Sequence, residues 1–288
     1  MYSSFYNFKI DPFSETPDTR FYFKSGSHVE ALKKIIGAIV DGKGFIELTG
    51  GVGTGKTMLS RYIIKNFENV INFALLLRPQ YEDQKIINSI IEEFGLLNND
   101  LYCNDKTDLT KLIHFFLNSV KDGKKNVILI DEAQILTQTA LETIRLISNL
   151  ECETSKLVQI ILFGQEELDN KLQSYSLRQL NQRISTRIHL DNLKLDETIN
   201  YILYRIEIAE GRNYIGFSKK SMEYIHKVSK GIPRLINQYC NAVLKISEKN
   251  KIRFIELELV KDILKNDNIL IDKSIFFKHF SFLRDLRV

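Results

Sequence analysis

The sequence contains few of the residues that mark non-globular or cross-linked proteins. Its 288 residues include only 4 prolines, 14 glycines and 3 cysteines. This composition excludes a collagen-like, proline-rich or glycine–serine low-complexity chain. The cysteines, Cys103, Cys152 and Cys240, lie far apart without the CxxC spacing of a metal or redox site. We therefore expect reduced, buried thiols, as in a cytosolic protein.

Long hydrophobic runs are also missing. The longest runs, at residues 127–130 and 160–163, have the length of a strand, whereas a membrane-spanning helix needs about 20 apolar residues. The first residues lack the basic and apolar regions of a signal peptide. With 44% hydrophobic and 26% charged residues, the chain is expected to be a cytoplasmic globular protein without a transmembrane segment.

The net charge of +4 is unevenly distributed along the chain. Residues 191–288 contain 18 lysines and arginines against 13 acidic residues. This basic excess allows a nucleic-acid partner but is too small to require one.

Hydrophobic spacing predicts strands that alternate with helices up to residue 190, and only helices after it. The predicted strands are 44–49, 70–77, 126–131, 157–163 and 187–190. This alternation is typical of an α/β fold, in which helices cover both faces of a five-stranded parallel sheet. We predict a lead-in segment at 1–27, the α/β core at 28–190, a small all-helical domain at 191–266 and an aromatic tail at 267–288. The tail could pack on the protein or contact a membrane or partner.

Six of the 14 glycines fall within residues 42–55. The segment 50–57 matches the phosphate-loop pattern G-x-x-x-x-G-K-[ST] and lies between a predicted strand and a predicted helix. Glycines let successive backbone N–H groups point at phosphate oxygens, and the helix adds its positive end. The candidate nucleotide-binding residues are Gly50, Gly51, Val52, Gly53, Thr54, Gly55, Lys56, Thr57 and Met58. Lys56 would reach the β- and γ-phosphates, and the Thr57 hydroxyl would bind Mg²⁺.

Two acidic residues, Asp131 and Glu132, end the apolar strand at 126–131. Ligands bind at the carboxyl edge of such sheets, so the acids are expected beside the phosphate loop. Asp131 suits the Mg²⁺ shell, and Glu132 suits polarisation of the water that attacks the γ-phosphate. The pair could instead cap the next helix. Because Glu132 is present, we favour an ATPase over a passive nucleotide binder.

Four further polar residues could sense the γ-phosphate. Gln165 follows the fourth strand and could bond to the attacking water if that strand neighbours the acidic one. Arg183 or Arg187 could reach a neighbouring subunit as an arginine finger, or simply lie on the surface. Arg234 falls in the first turn of a helix opened by Pro233, where a cation opposes the helix dipole unless an anion is bound.

The residues together resemble the AAA+ ATPases of the ExeA/GspA type, which are found beside type II secretion and type IV pilus systems. The resemblance covers about residues 1–265. It rests on an N-terminal signature at 12–18 with His28, on the phosphate loop, on the segment 129–134 (LIDEAQ), and on segments at 146–151, 162–165, 177–184 and 231–237.

The resemblance implies roles for the candidate residues. Lys56 and Thr57 match Walker A, Asp131 and Glu132 match Walker B, and Gln165 is similar to a sensor 1 residue. Arg234 corresponds to sensor 2, and Arg187, or failing that Arg183, to the arginine finger. ATP and Mg²⁺ as ligands, assembly into a dimer or ring, and an inner-membrane secretion or pilus protein as partner are likewise implied.

The secretion members of the family continue into a membrane span and a peptidoglycan-binding region. The predicted tail, 267–288, has no such regions, so we do not expect peptidoglycan binding. The sequence is most similar to the short ATPases of MSHA-type pilus biogenesis. Two alternatives stay open: a DNA-associated ATPase similar to transposition helpers, using Lys219, Lys220, Lys227 and Lys230, and an ATP-gated scaffold with negligible turnover.

Overall fold

The computed structural model describes residues 2–77, 83–96, 108–152 and 156–266. The strands are β1 (Phe45–Gly50), β2 (Ile71–Leu76), β3 (Lys125–Ile130), β4 (Gln159–Gly164), β5 (Ile184–Leu190), β6 (Gly216–Phe217) and β7 (Phe254–Ile255). The helices are α1 (Tyr2–Phe5), α2 (Gly26–Val40), α3 (Lys56–Phe67), α4 (Asp83–Glu93), α5 (Asp108–Lys121), α6 (Gln138–Ile147), α7 (Glu166–Leu172), α8 (Arg178–Arg183), α9 (Leu195–Ile208), α10 (Lys219–Ser229), α11 (Pro233–Lys249) and α12 (Leu257–Asn266).

The chain divides into two compact units. One is Lys24–Asp191, and the other combines Met1–Phe23 with Asn192–Val288. The segment predicted as a lead-in, 1–27, is thus divided between the units. The predicted aromatic tail, 267–288, lies outside the described residues, and so does Cys103.

The unit Lys24–Asp191 is built on a five-stranded sheet in the order β2-β3-β4-β1-β5. Every neighbouring pair of these strands is parallel, which confirms the predicted α/β fold. Strand β3 shows why the sequence is so apolar here: residues 127–130 are all fully buried, so both faces of the sheet are covered. Buried parallel strands therefore appear as continuous hydrophobic runs.

The strand order determines which loops meet. Strand β4 lies between β1 and β3, so the loops that follow these three strands are adjacent at the carboxyl edge. These loops carry the phosphate loop after Gly50, the acidic pair after Ile130, and Gln165 after Gly164. The expectation that the fourth strand neighbours the acidic one is confirmed by the register, which pairs Val127 with Gln159.

The second unit packs α9, α10, α11 and α12 around one hydrophobic core. It also contains a short parallel pairing of β6 with β7, whereas the sequence predicts only helices here. Each of these strands has only two residues, too few for an alternating pattern to be recognised.

The N-terminal segment belongs to the core of this second unit. Arg205 of α9 is only 3% exposed; its Nε donates to the backbone oxygen of Pro12, and its Nη2 donates to that of Ser14 at 3.3 Å. The guanidinium also lies 4.4 Å from the centre of the Phe21 ring, a cation–π distance. A buried cation is thus satisfied by carbonyl oxygens and a ring of the N-terminal segment.

The structure also bears on the predicted state of the cysteines and on the predicted lack of a membrane-spanning helix. Cys240 is buried and Cys152 is partly buried, and neither is part of a disulfide among the described residues. Across the described ranges, no helix combines the length and the hydrophobicity needed to cross a membrane.

Candidate nucleotide-binding site

The phosphate loop follows β1 and ends where α3 begins at Lys56. Gly53 and Gly55 have φ angles of +80° and +107°, in the left-handed region that favours glycine. A Cβ on Gly50 would lie 2.8 Å from the backbone oxygen of Leu190, so a larger residue would displace β5. The loop conformation therefore depends on the glycines that the pattern contains.

Lys56 is held inside this loop. Its side chain is buried, and its Nζ donates to the carbonyl oxygens of Gly50 at 2.8 Å and Gly51 at 2.9 Å. Burial lowers the pKa of Lys56, because neutral carbonyls compensate a buried ammonium less well than an anion does. An anion within the loop would restore that compensation.

Thr57 and Asp131 meet although they are far apart in sequence. The Thr57 hydroxyl donates to Oδ2 of Asp131, and the backbone N–H of Glu132 donates to Oδ1 of the same carboxylate at 3.0 Å. Asp131 is 2% exposed, and burial raises its pKa despite these hydrogen bonds. A hydroxyl beside a buried carboxylate is a set of oxygen ligands that suits Mg²⁺.

Glu132 and Gln165 also contact each other. The Gln165 Nε2 donates to Oε2 of Glu132 at 3.1 Å. Glu132 itself has a φ of +53°, an uncommon conformation for a residue with a side chain. The capping alternative is not what the geometry shows, since the Glu132 side chain makes no cap hydrogen bond to the 3₁₀ turn that follows it.

Two further side chains lie beside these residues, and the sequence predicts no role for either. Gln134 donates from Nε2 to Oε2 of Glu132 at 2.5 Å. His28 is buried, with Nδ1 2.7 Å from Oγ of Ser25, and its Nε2 lies 2.9 Å from the position of a Cβ on Gly55. Both residues lie within the segments that carry the family resemblance, but their contacts depend on the tertiary structure.

Arg187 lies on β5 and pairs with a buried carboxylate of β1. Its Nη1 donates to Oε2 of Glu47, and its Nη2 donates to Oδ1 of Asn181. Glu47 is 1% exposed, and burial raises its pKa to about 7, although the Arg187 guanidinium acts in the opposite direction. Asp169 lies 3.8 Å from the Arg187 Nη1 and also raises the pKa of Glu47. Arg187 is therefore the counterion of Glu47.

The signal for this pair was present in the sequence. Glu47 is a carboxylate in the middle of a strand whose other residues are apolar or small, and buried acids are almost always paired.

Arg183 is in a different environment from Arg187. It is the last residue of α8 and it is exposed. It lines a cavity of about 450 Å³ together with residues that include Phe45, Asn149 and Lys156.

Arg234 lies in the second unit, in the first turn of α11. Pro233 is the first residue of that helix, as predicted. The Arg234 Nη2 lies 3.5 Å from Oε2 of Glu15, and Gln238 donates to the other oxygen of Glu15 at 3.3 Å. A carboxylate thus occupies the position of the anion expected for this arginine.

A phosphate loop at the carboxyl edge of a parallel β2-β3-β4-β1-β5 sheet, facing two carboxylates, defines a P-loop nucleotide-binding protein. Residues 40–172 match the family model described as an AAA domain.

The chain is 37% identical to General secretion pathway protein A of Aeromonas hydrophila over 245 residues. Together with the AAA match, this identity shows that the chain belongs to the AAA+ proteins of the General secretion pathway protein A type. The alignment covers 85% of this chain but only 44% of the relative, so the chain spans less than half of that protein.

Solved structures share the fold at low sequence identity. The Aeropyrum pernix ORC2 protein matches with a TM-score of 0.67 at 16% identity, covering 90% of this chain and 72% of that one. The RuvB Holliday junction branch migration motor of Thermotoga maritima matches with a TM-score of 0.53 at 16% identity, covering 85% and 70%. At this identity, the likeness concerns the fold alone.

Proposed function

We propose that this chain binds and hydrolyses ATP. The observation that carries the proposal is the convergence of Lys56, Thr57, Asp131, Glu132 and Gln165 at one edge of the sheet. Hydrolysis of a phosphoanhydride needs an anion site, a cation site and a base near the attacking water. The residues present supply all three.

ATP and Mg²⁺ fit the residues that are present. The glycine loop is shaped as a phosphate cradle, and the buried Lys56 ammonium, now bonded to neutral carbonyls, would gain an anionic partner. Thr57 and Asp131 would hold Mg²⁺, which would neutralise charge on the phosphates. When ATP and Mg²⁺ bind, Lys56 would lose its hydrogen bonds to the carbonyls of Gly50 and Gly51, and Thr57 would lose its hydrogen bond to Asp131.

The chain's own residues divide the remaining chemistry. Glu132 would take the proton of the attacking water, because its carboxylate lies at the strand edge next to the Mg²⁺ ligand Asp131. Gln165, whose amide lies within hydrogen-bond distance of that carboxylate, would orient the same water. The role of Arg234 as a sensor 2 residue stays a prediction.

Phosphate release by the wild-type chain and by Glu132→Gln tests this function. We expect the variant to retain ATP binding and to lose most of its turnover, about 10²-fold or more, as for removal of a general base. Glu68→Gln makes the same change at an exposed position and should behave as wild type. Equal, negligible release by wild type and Glu132→Gln under conditions of self-association would favour the alternative of an ATP-gated scaffold.

We propose Arg183 as the residue that would act on the nucleotide of a neighbouring copy in a dimer or ring. Both arginines are exposed, but one observation supports Arg183 over Arg187: Arg187 pairs with the buried Glu47, whereas Arg183 lies at the end of a helix. Removal of a counterion from a buried charge costs about 3–5 kcal/mol, so an arginine with that task is poorly placed to move between partners.

A double substitution distinguishes the two arginines. Arg187→Ala alone should reduce turnover by destabilising the domain, and Glu47→Gln in the same chain should restore turnover by removing the unpaired charge. Arg183→Ala should lower turnover without such rescue, leave ATP binding of the monomer intact and leave stability unchanged. If the double variant Arg187→Ala/Glu47→Gln stays inactive while Arg183→Ala is active, the arginine finger is Arg187.

We propose a role as an oligomeric switch in the assembly of a type II secretion or type IV pilus system, including the MSHA type. The similarity to General secretion pathway protein A supports this role. The protein would be cytoplasmic and would reach the inner membrane through a protein partner. Capture of partners by Glu132→Gln with ATP, compared with Lys56→Ala, should enrich a secretion or pilus assembly protein only in the former.

A DNA-associated ATPase is the second candidate function. It is supported by exposed lysines on and after α10, namely Lys219, Lys220, Lys227 and Lys230, which could neutralise backbone phosphates. Replacement of these lysines by glutamine should then abolish salt-dependent binding to duplex DNA. Absence of binding by the wild type at low salt would eliminate this candidate.

A further inference from the structure

Glu132 is held from two directions by amide groups. Gln134 and Gln165 both donate to its Oε2, at 2.5 Å and 3.1 Å. Both donors share one oxygen, which leaves Oε1 as the atom that would receive the proton. The two hydrogen bonds therefore hold the Glu132 carboxylate in one rotational orientation.

The Gln134 amide has a second partner that determines its orientation. Its Oε1 accepts from the backbone N–H of Gln165 at 3.2 Å. A carboxylate can only accept and an N–H can only donate, so the amide nitrogen must face Glu132 and the oxygen must face Gln165. Among side chains of this size, only glutamine offers both groups; glutamate would set two carboxylates against each other.

The turn that carries Gln134 is fixed to the helix that follows Gln165. Lys171 of α7 donates from Nζ to the backbone oxygens of Gln134 and Leu136, each at 2.6 Å. Burial lowers the pKa of Lys171, consistent with an ammonium enclosed by these carbonyls. The 3₁₀ turn Ala133–Ile135 is therefore linked to both ends of α7: the Gln134 amide bonds to Gln165 at its start, and Lys171 lies in its last turn.

We propose that Gln134 is a positioning residue that joins Glu132 and Gln165 into one catalytic unit. The inference rests on the proposed hydrolysis of ATP and assigns to Gln134 the orientation of the base. Because the Gln134 side chain bonds to Glu132 and to the backbone N–H of Gln165, its loss should affect turnover rather than nucleotide binding.

Steady-state kinetics of Gln134→Leu and the isosteric Gln134→Glu test this proposal. We expect kcat to fall about ten- to a hundredfold, a part of the 10²–10⁴ that a positioned base contributes, while KM for ATP stays within about twofold. Gln173→Leu, at the exposed end of α7, is the matched control. Thermal unfolding of each variant shows whether the fold is kept. If Gln134→Leu fails to fold, Gln134→Glu still tests the proposal, because glutamate has the same shape as glutamine.

The combination of Gln134→Leu with Gln165→Leu tests the coupling. If the residues act as one unit, the double variant should be little slower than the slower single variant, whereas independent residues would multiply their effects. Unchanged kcat in Gln134→Leu and Gln134→Glu, equal losses in kcat and nucleotide affinity, or multiplicative effects would each overturn the proposal. A wild type as slow as Glu132→Gln would instead refute the proposed hydrolysis itself, and the positioning role with it.

Discussion

The buried Glu47 should make the stability of the α/β unit depend on pH. Its side chain is 1% exposed on the central strand β1, and burial raises its pKa from the ordinary 4.5 to about 7. A carboxyl with a higher pKa in the folded chain binds more protons when folded. Its stabilising contribution is complete below pH 4.5 and is lost as the pH rises to about 7.

The magnitude follows from this shift. Each pKa unit corresponds to about 1.4 kcal/mol, so ionisation of the folded carboxyl costs roughly 3 kcal/mol relative to the unfolded chain. Glutamine keeps the shape of Glu47 but cannot ionise. Glu47→Gln should therefore remove this fall in stability. Arg187 would keep its bond to Asn181 and, being 42% exposed, would be partly hydrated.

Urea unfolding at pH 5, 6, 7 and 8 provides the assay. The free energy of unfolding of Glu47→Gln, relative to wild type, should rise by about 2.5 kcal/mol between pH 5 and pH 8, because a smaller part of the loss already occurs below pH 5. Glu68→Gln, an exposed glutamate of the same unit, should show no such change. A wild type that gains stability over Glu47→Gln as the pH rises would show that attraction to Arg187 outweighs the cost of burial, and would refute the reasoning.

Three further substitutions test the phosphate loop and the N-terminal segment. Lys56→Ala should abolish ATP binding, measured by calorimetry, and retained affinity would contradict the phosphate-loop assignment. Gly55→Ala should lower the free energy of unfolding in urea by about 1–3 kcal/mol, because φ is +107° and the new Cβ would lie 2.9 Å from Nε2 of His28. Gly37→Ala is the control: it lies in open space within α2 and should stabilise the fold by about 0.5–1 kcal/mol. Arg205→Met should expose the N-terminal segment to limited proteolysis, while Arg212→Met, exposed on the same unit, should not; equal cleavage rates would show that the carbonyl contacts do not hold the segment.

The core of the candidate site was predictable because its residues lie in local patterns. The phosphate loop and the acidic pair each follow an apolar strand, and the carboxyl ends of parallel strands share one edge. The contact between Thr57 and Asp131, which are 74 residues apart, follows from those two patterns.

The side-chain partners within the site were harder to predict. The bond between Arg187 and Glu47 spans 140 residues and exists only because β5 lies beside β1 in a register that places these residues opposite each other. From the sequence, Arg187 was preferred to Arg183 for a contact with a neighbouring copy. Burial of Glu47 favours Arg183 instead, since an internal carboxylate requires a counterion and Arg187 supplies it.

The sequence alone determined the alternation of strands and helices, the glycine loop and the acids that face it, because hydrophobic period and turn chemistry are local properties. Only the tertiary structure decided that carbonyls of the N-terminal segment bind the Arg205 guanidinium, that Gln134 links Glu132 to Gln165, and that Arg187 neutralises Glu47. The physical reason is common to all three: a buried polar or charged group must find its partner in space, and the chain brings that partner from any distance along the sequence.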